Sequence, residues 1–184
     1  MFKKKFYTLS ANEILLGILF FTFCIRIIFF NQSLNYQNHY LTGDTKSYHD
    51  TALSWIKTGS FSLSLNYIDI PQTVRTPGYS FFLGIVYKLF GQGYRQVVLA
   101  QIFLSLLSIY LIYLIGNFLF DYRSGLIAAL LFSLDPLTIS MNYKILTESL
   151  FLFLMIIFIY SGIVWLKYPL SKSLPFITGT LLGL

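Results

Sequence analysis

The feature that most constrains this chain is an apolar run, Val97–Phe120, of 24 residues without a charged side chain. A helix needs about 20 predominantly apolar residues to cross the hydrocarbon core of a bilayer. The run is long enough to do so without help from its neighbours. It predicts a membrane-spanning helix and therefore a membrane protein.

The composition supports the same class. Charged residues make up 11% of the 184 residues and hydrophobic residues 56%, whereas a soluble domain carries about 25% charged residues. The net charge of +6 is interpreted through membrane topology, because basic residues beside spans stay in the cytoplasm. No Arg-rich stripe is present, so we expect no nucleic-acid partner. The single cysteine, Cys24, lies in an apolar run and is interpreted as a small buried hydrophobic residue.

The first apolar run, Asn12–Phe30, follows Lys3, Lys4 and Lys5. Its 19 residues cover roughly 28 Å, which favours a retained anchor over a cleaved signal peptide. The lysines place residues 1–11 in the cytoplasm and the end of the run outside. Arg26, one turn from the outer end, is expected to extend its charge to the interface.

Three more apolar segments follow the longest run: Gly125–Met141, Ser149–Leu166 and Leu174–Leu184. The first two predict spans, and Lys167 closes the second. The eleven residues of the last segment are too few to cross a bilayer, so we expect the chain to be the N-terminal part of a longer protein. The predicted fold is an all-α polytopic membrane protein with about four complete spans and an incomplete fifth.

Gly78–Phe90 is the ambiguous segment, because it is apolar, contains Lys88 and is short for a span. If it lies at the interface, residues 31–96 form one outer loop with juxtamembrane helices, Arg123 is cytoplasmic and Glu148 is outside. If it spans, Arg123 and Lys167 move outside. We favour the interfacial alternative, because it leaves the basic residues in the cytoplasm.

Within the outer loop, Asp44–Gly59 has the pattern of an amphipathic helix, with Asp44 as N-cap and Gly59 after its end. The helical stripe consists of Tyr48, Ala52, Trp55 and Ile56. We expect this helix to lie on the membrane with Trp55 at headgroup depth. Asp50 is rotated about 120° from Asp44 and should point elsewhere.

Three charged residues, Asp44, Arg75 and Glu148, come to the same outer face under this topology. Each has a structural alternative: Asp44 as a helix cap, Arg75 as an interfacial charge before a turn, and Glu148 as a partner of the helix dipole. Together they suit transfer of a group from a phosphate to a hydroxyl. One carboxylate removes the hydroxyl proton, and the cation holds the departing phosphate.

Other polar residues carry less information. Asp135-Pro136 lies inside a predicted span, where an acidic residue is a functional candidate, although it also suits the cap of a proline-induced break. His39 and His49 lie in the outer loop without a partner that the sequence identifies.

The order of these motifs resembles the N-terminal part of the GT-C glycosyltransferases that use polyprenyl-phosphate sugars, such as protein O-mannosyltransferases and lipid A aminoarabinose transferases. The segments that carry the resemblance are Gly43-Asp44 with Tyr48 and Ala52, Arg75-Thr76-Pro77-Gly78-Tyr79, Leu89-Phe90-Gly91, Asp121-Tyr122-Arg123, Asp135-Pro136 and Thr147-Glu148-Ser149-Leu150-Phe151. The resemblance covers nearly the whole chain and implies a GT-C-like fold.

The resemblance implies an inverting sugar transfer on the outer face, with a polyprenyl-phosphate sugar as donor and a lipid, glycan or protein as acceptor. Asp44 would be the catalytic acidic residue, Arg75 the residue near the carrier phosphate, and Glu148 a second acidic position. A divalent metal ion is a candidate cofactor. The expected location is the plasma membrane of a bacterium. The alternative is a non-enzymatic membrane protein, a transporter fragment or a small partner subunit.

Overall fold

The protein is described by a computed structural model that covers residues 10–34, 43–64, 66–168, 176 and 179–180. The lysines at the N-terminus, His39 and most of the predicted segment Leu174–Leu184 lie outside the described residues. The elements in chain order are α1 (Ala11–Ser33), α2 (Thr45–Thr58), β1 (Ser62–Ser64), β2 (Tyr67–Pro71), α3 (Pro77–Phe90), α4 (Tyr94–Leu119), α5 (Tyr122–Ser133), α6 (Pro136–Met141) and α7 (Glu148–Lys167). The predicted all-α class is confirmed, with one small antiparallel hairpin, β1–β2, added to it.

Within the described residues, α1, α4 and α7 are long and apolar enough to cross a membrane. They contain the predicted spans 12–30, 97–120 and 149–166 to within about one turn. α1 begins with a capping box, in which Ser10 and Glu13 bond each other's backbone N–H groups. Such a box fixes the start of a helix whose first N–H groups have no partner within the helix.

The predicted span Gly125–Met141 is corrected by the structure, because the chain breaks between α5 and α6. Pro136 has no N–H, and the residue before a proline disfavours helical backbone. The Asp135 carboxylate accepts a hydrogen bond from Thr138 N at 2.8 Å and so caps α6. α5 has 12 residues and rises about 18 Å, too little to cross a bilayer by itself.

α4 and α5 form a close helical hairpin through the turn at Asp121. The Asp121 carboxylate caps α5 by accepting from Ser124 N at 2.7 Å, and this bond lowers the pKa of Asp121. Near the turn the backbones almost touch, since a Cβ added to Gly116 would lie 2.7 Å from Gly125 Cα. Small residues permit such close approach between membrane helices.

The segment from α2 through α3, here called the cap, packs at the end of the bundle where α1 ends and α4 and α7 begin. Its core consists of Tyr48, Ala52, Tyr79, Leu83, Val86, Tyr87, Val97 and Ile145. α3 starts with Pro77 in its first turn and has 14 residues. It packs against α2 and the first half of α4; its interfacial position stays a prediction.

The apolar stripe of α2 packs against α3 rather than facing outward, and whether the helix lies at the membrane surface stays a prediction. Ala52 is fully buried, and Trp55 lies against Phe61 and Phe81 with ring centroids 5.6 and 4.7 Å apart. The ring also covers Gly84 of α3. α3 provides the apolar surface that the sequence argument had assigned to lipid.

The far end of the bundle carries basic residues. Lys167 Nζ lies 4.4 Å from the centroid of the Phe118 ring, and Arg123 is the second residue of α5. The start of α1 packs here too, where Leu15 contacts the cluster that contains Leu126 and Ala129. Arg123 and Lys167 are therefore at one end of the bundle, and Asp44, Arg75 and Glu148 are at the other.

Candidate active site

Asp44 occupies the residue before α2, but it does not act as the predicted N-cap. Its backbone is already helical, with φ −83° and ψ −23°, and its side chain makes no capping hydrogen bond. Instead Oδ1 accepts from Arg75 Nη2 in an ion pair, the one salt bridge within the described ranges. The Asp44 side chain is 46% exposed and that of Arg75 31%, so the pair is open to a ligand.

Arg75 is held over an aromatic ring. Its guanidinium carbon lies 5.6 Å from the centroid of Tyr48, and Tyr48 in turn meets the edge of Tyr79 at 5.1 Å. A guanidinium over an aromatic face is attracted by the ring's electron density. Arg75 Nε is buried without a hydrogen-bond partner, so the guanidinium keeps a donor that Asp44 does not use.

Arg75 lies in the segment between β2 and α3, and Gln72 of this segment is hydrogen-bonded to α2. Its amide nitrogen donates to Ser47 Oγ at 3.0 Å and to Thr51 Oγ1 at 3.2 Å. Its amide oxygen accepts from Val74 N at 3.0 Å. Because Asp44 directly precedes the same helix, these bonds keep the backbone of Arg75 close to Asp44.

Glu148 opens α7 at the same end of the molecule but is not part of the ion pair. It lines a small cleft, here called the polar cleft after its hydroxyl and amide groups, whose other lining residues are Ser105, Ser108, Phe132, Thr138, Met141, Asn142, Ser149 and Leu152. Burial raises the pKa of Tyr79, and the nearby Glu148 carboxylate acts in the same direction. Glu148 is thus near enough to influence Tyr79, whose ring also contacts Tyr48 on the Arg75 side.

Gln101 is a central polar residue that the sequence argument missed. Its side chain is fully buried in α4; Oε1 accepts from Tyr79 Oη at 2.7 Å, and Nε2 donates to the carbonyls of Asn142 and Lys144 at 2.9 and 3.0 Å. It therefore joins α3 to the 142–147 loop, which leads to Glu148. An amide near the start of an otherwise apolar run was the signal available in the sequence.

His49 has a partner that the sequence did not identify. Its Nδ1 lies 2.9 Å from Tyr87 Oη, and the two rings meet edge to face at 5.5 Å. Burial raises the pKa of Tyr87 to about 12, so the phenol remains neutral at ordinary pH. The pair joins α2 to α3 and gives His49 a structural role.

Arg26 is buried, and the prediction that it extends to the interface is wrong. Its side chain is 0% exposed; Nε donates to Asn142 Oδ1 at 2.9 Å and Nη1 to Ser133 O at 3.2 Å. Tyr143 Oη also donates to the Arg26 carbonyl at 3.0 Å. The break between α5 and α6 leaves the Ser133 carbonyl available as one acceptor, which a continuous helix would have used internally.

Metal ligation can be tested on the described residues. Within them, no three His, Cys, Asp or Glu side chains lie close enough together to hold a metal ion. Asp44 and Glu148 belong to separate clusters, and the Asp44 carboxylate is taken by Arg75. The proposed chemistry uses no metal ion.

Comparison with known families is decisive for the class. The family model for dolichyl-phosphate-mannose-protein mannosyltransferases matches residues 74–184, which is more than half of the chain. The chain belongs to this family. No curated protein and no solved structure matches it.

Membership makes the chain a mannosyltransferase-like membrane protein of a family that uses polyprenyl-phosphate sugar donors. The predicted resemblance to polyprenyl-phosphate-dependent glycosyltransferases is confirmed at this level. The matched range includes Arg75 and Glu148. Asp44 lies before it, and the Asp44–Arg75 ion pair is what connects this residue to the matched part.

Proposed function

We propose that the protein transfers a sugar from a polyprenyl-phosphate donor to an acceptor hydroxyl at the outer face of a plasma membrane. The observation that carries this proposal is the Asp44–Arg75 pair, half open to solvent, in the cap of a member of this family. The acceptor is a lipid, a glycan or a protein that presents a hydroxyl at the membrane surface.

Arg75 is the proposed ligand of the carrier phosphate. The aromatic ring below it holds the guanidinium in place, and the side chain is 31% exposed. A phosphate accepts charge-assisted hydrogen bonds from a guanidinium at least as well as a carboxylate does. Donor binding would therefore draw Arg75 away from Asp44, and the leaving phosphate would depart against this cation.

Asp44 is the proposed general base. While Arg75 holds it, the carboxylate is occupied; once the phosphate takes the guanidinium, Oδ1 is free to accept the proton of the acceptor hydroxyl. The hydroxyl oxygen attacks the anomeric carbon as the bond to the phosphate oxygen breaks, with inversion. Glu148, at the start of α7 and at the same end of the bundle, would orient the acceptor.

The test measures transfer from a polyprenyl-phosphate sugar in membranes that contain the product of the complete reading frame. Asp44→Asn keeps the shape of the side chain and removes the base, so it should reduce the rate by about 10²–10⁴-fold. Asp50→Asn is the matched control, because it removes a carboxylate from the opposite side of the same helix.

The outcomes separate the alternatives. If Asp44→Asn transfers sugar as fast as the parent and Asp50→Asn does not, the wrong carboxylate has been chosen. If parent membranes transfer no sugar from any polyprenyl-phosphate donor, the non-enzymatic alternative, a partner subunit or a transporter fragment, replaces the enzyme.

A further inference from the structure

Arg26 is a buried charge that the proposed mechanism does not use. The two oxygens that accept hydrogen bonds from its guanidinium, the Ser133 carbonyl and the Asn142 amide oxygen, are neutral. Its Nη2 is buried without a hydrogen-bond partner. Ser133 is the last residue of α5. The final carbonyls of a helix carry partial negative charge and lack partners within the helix, so the guanidinium and the end of α5 stabilise each other.

The hydrogen bonds continue from Arg26 to the start of α7. Asn142, which accepts from Arg26, donates through Nδ2 to Ser149 Oγ at 3.3 Å. Ser149 Oγ donates to Met141 O at 3.3 Å. Ser149 is the residue after Glu148, and both line the same polar cleft. A chain of hydrogen-bonded side chains thus leads from Arg26 in the second half of α1 to the residue after Glu148.

A guanidinium suits this place better than any other cation. Its planar fork donates in fixed directions, and here it reaches two acceptors that lie on different elements, one at the end of α5 and one after α6. A lysine ammonium is a compact point charge and cannot reproduce that fork. A buried charge with only neutral partners is costly in a membrane protein and marks a functional position by default.

We propose that Arg26 is a positioning residue for Glu148. It ties the α5–α6 break to Asn142, and Asn142 sets the start of α7 and with it the placement of the Glu148 carboxylate. This inference rests on the proposed function for the role of Glu148. The loop-anchoring part stands on the hydrogen bonds alone and is measured separately below.

The first arm of the test reports on the loop and needs no activity. Ile145, in the loop between α6 and α7, is 5% exposed; a cysteine placed there in a Cys24→Ser background should react slowly with a thiol reagent. Arg26→Met should open the loop and raise the alkylation rate roughly tenfold. Arg95→Met removes an exposed guanidinium at the start of α4 and should leave the rate unchanged.

The second arm measures sugar transfer by the same variants without the cysteine at position 145. Arg26→Met should lower kcat by roughly 10²-fold, as expected for a misplaced group. The KM for the donor should stay within about twofold, because Arg75 is untouched. Arg26→Lys should not restore kcat, because an ammonium cannot reproduce the two directed hydrogen bonds. The double variant Arg26→Met, Asn142→Leu should be no slower than Arg26→Met alone, since both changes cut one chain of contacts.

Each result decides something. If Arg26→Met changes the alkylation rate by less than twofold, Arg26 does not anchor the loop between α6 and α7. If alkylation becomes faster but kcat is unchanged, Arg26 does not position Glu148. If the parent itself transfers no sugar, the proposed function fails while the alkylation arm still tests the anchor. Should Arg26→Met fail to accumulate, Asn142→Ala takes its place with the same expectations, because it keeps the bond to Ser133.

Discussion

The two arginines that matter in this protein are held in opposite ways. Arg75, in the cap, is 31% exposed and paired with a carboxylate. Arg26, in the bundle, is 0% exposed and bonded to neutral oxygens. The cap pair is accessible to solvent, which suits the proposed exchange of Asp44 for a substrate phosphate. The bundle arginine is shielded and fixed, which suits a residue that holds other groups in place.

The same contrast extends to the helices around them. In the bundle, the α4–α5 crossing brings backbone against backbone at Gly116 and Gly125. In the cap, α2 meets α3 through aromatic side chains such as Trp55 and Tyr79. Backbone contacts leave no room for adjustment, whereas side chains can rotate. The cap is therefore expected to adapt and the bundle to stay rigid.

The largest expected effect concerns the two ends of the bundle, which should lie on opposite sides of the membrane. We expect Lys144, in the exposed part of the 142–147 loop, to face outside and Arg123 to face the cytoplasm. In a Cys24→Ser background, a membrane-impermeant thiol reagent should label Lys144→Cys on intact cells and leave Arg123→Cys unlabelled until the cells are opened. The reverse pattern would invert the topology.

The next effect concerns the exchangeable arginine. Arg75→Ala should raise the KM for the polyprenyl-phosphate donor about 10- to 100-fold, since hydrogen bonds to charged groups contribute about 1.5–3 kcal/mol. Steady-state transfer kinetics at varied donor concentration provide the measurement. Arg75→Lys keeps the charge and should recover part of the loss. A normal donor KM in Arg75→Ala would remove this residue from the phosphate site.

Composition and local sequence pattern were sufficient to predict the long helices of the bundle. Spans such as α4 need only a long stretch without charge, a property that the chain carries locally. The amphipathic pattern of α2 was equally readable, and Gly59 does take the left-handed conformation that ends it, with φ 77°. Local pattern could not predict that the apolar stripe of α2 packs against α3.

The candidate site depended on contacts between distant parts of the chain. Arg26 and Asn142 are separated by 116 positions, and Asp44 and Arg75 by 31. No period or spacing links such pairs, so the sequence placed Arg26 at the interface and Asp44 at a helix cap. The resemblance named Asp44, Arg75 and Glu148 together, but the direct ion pair and the buried Gln101 required the three-dimensional arrangement.

The bundle should tolerate little change where two backbones meet. Gly116→Ala puts a methyl group 2.7 Å from Gly125 Cα, which neither helix can avoid without shifting. The expected cost is about 1–3 kcal/mol of unfolding free energy, measured in mixed detergent micelles. Gly162→Ala, on α7 with no atom within 4 Å of the added methyl, should be neutral or slightly stabilising. Equal effects of both changes would contradict the rigid crossing.

The smallest effect is expected at the corresponding glycine of the cap. A methyl group on Gly84 would lie 2.5 Å from Trp55 Cε3, but this ring is partly exposed and can turn aside. The gain in helix propensity, about 0.5–1 kcal/mol, offsets much of the strain. Gly84→Ala should therefore change the unfolding free energy by less than about 1 kcal/mol. With Trp165→Phe as background, the Trp55 emission should shift to longer wavelength and become easier to quench. If Gly84→Ala destabilises the protein as much as Gly116→Ala does, the cap is as rigid as the bundle. That result would contradict the proposal that Arg75 exchanges Asp44 for a phosphate by local adjustment of the cap.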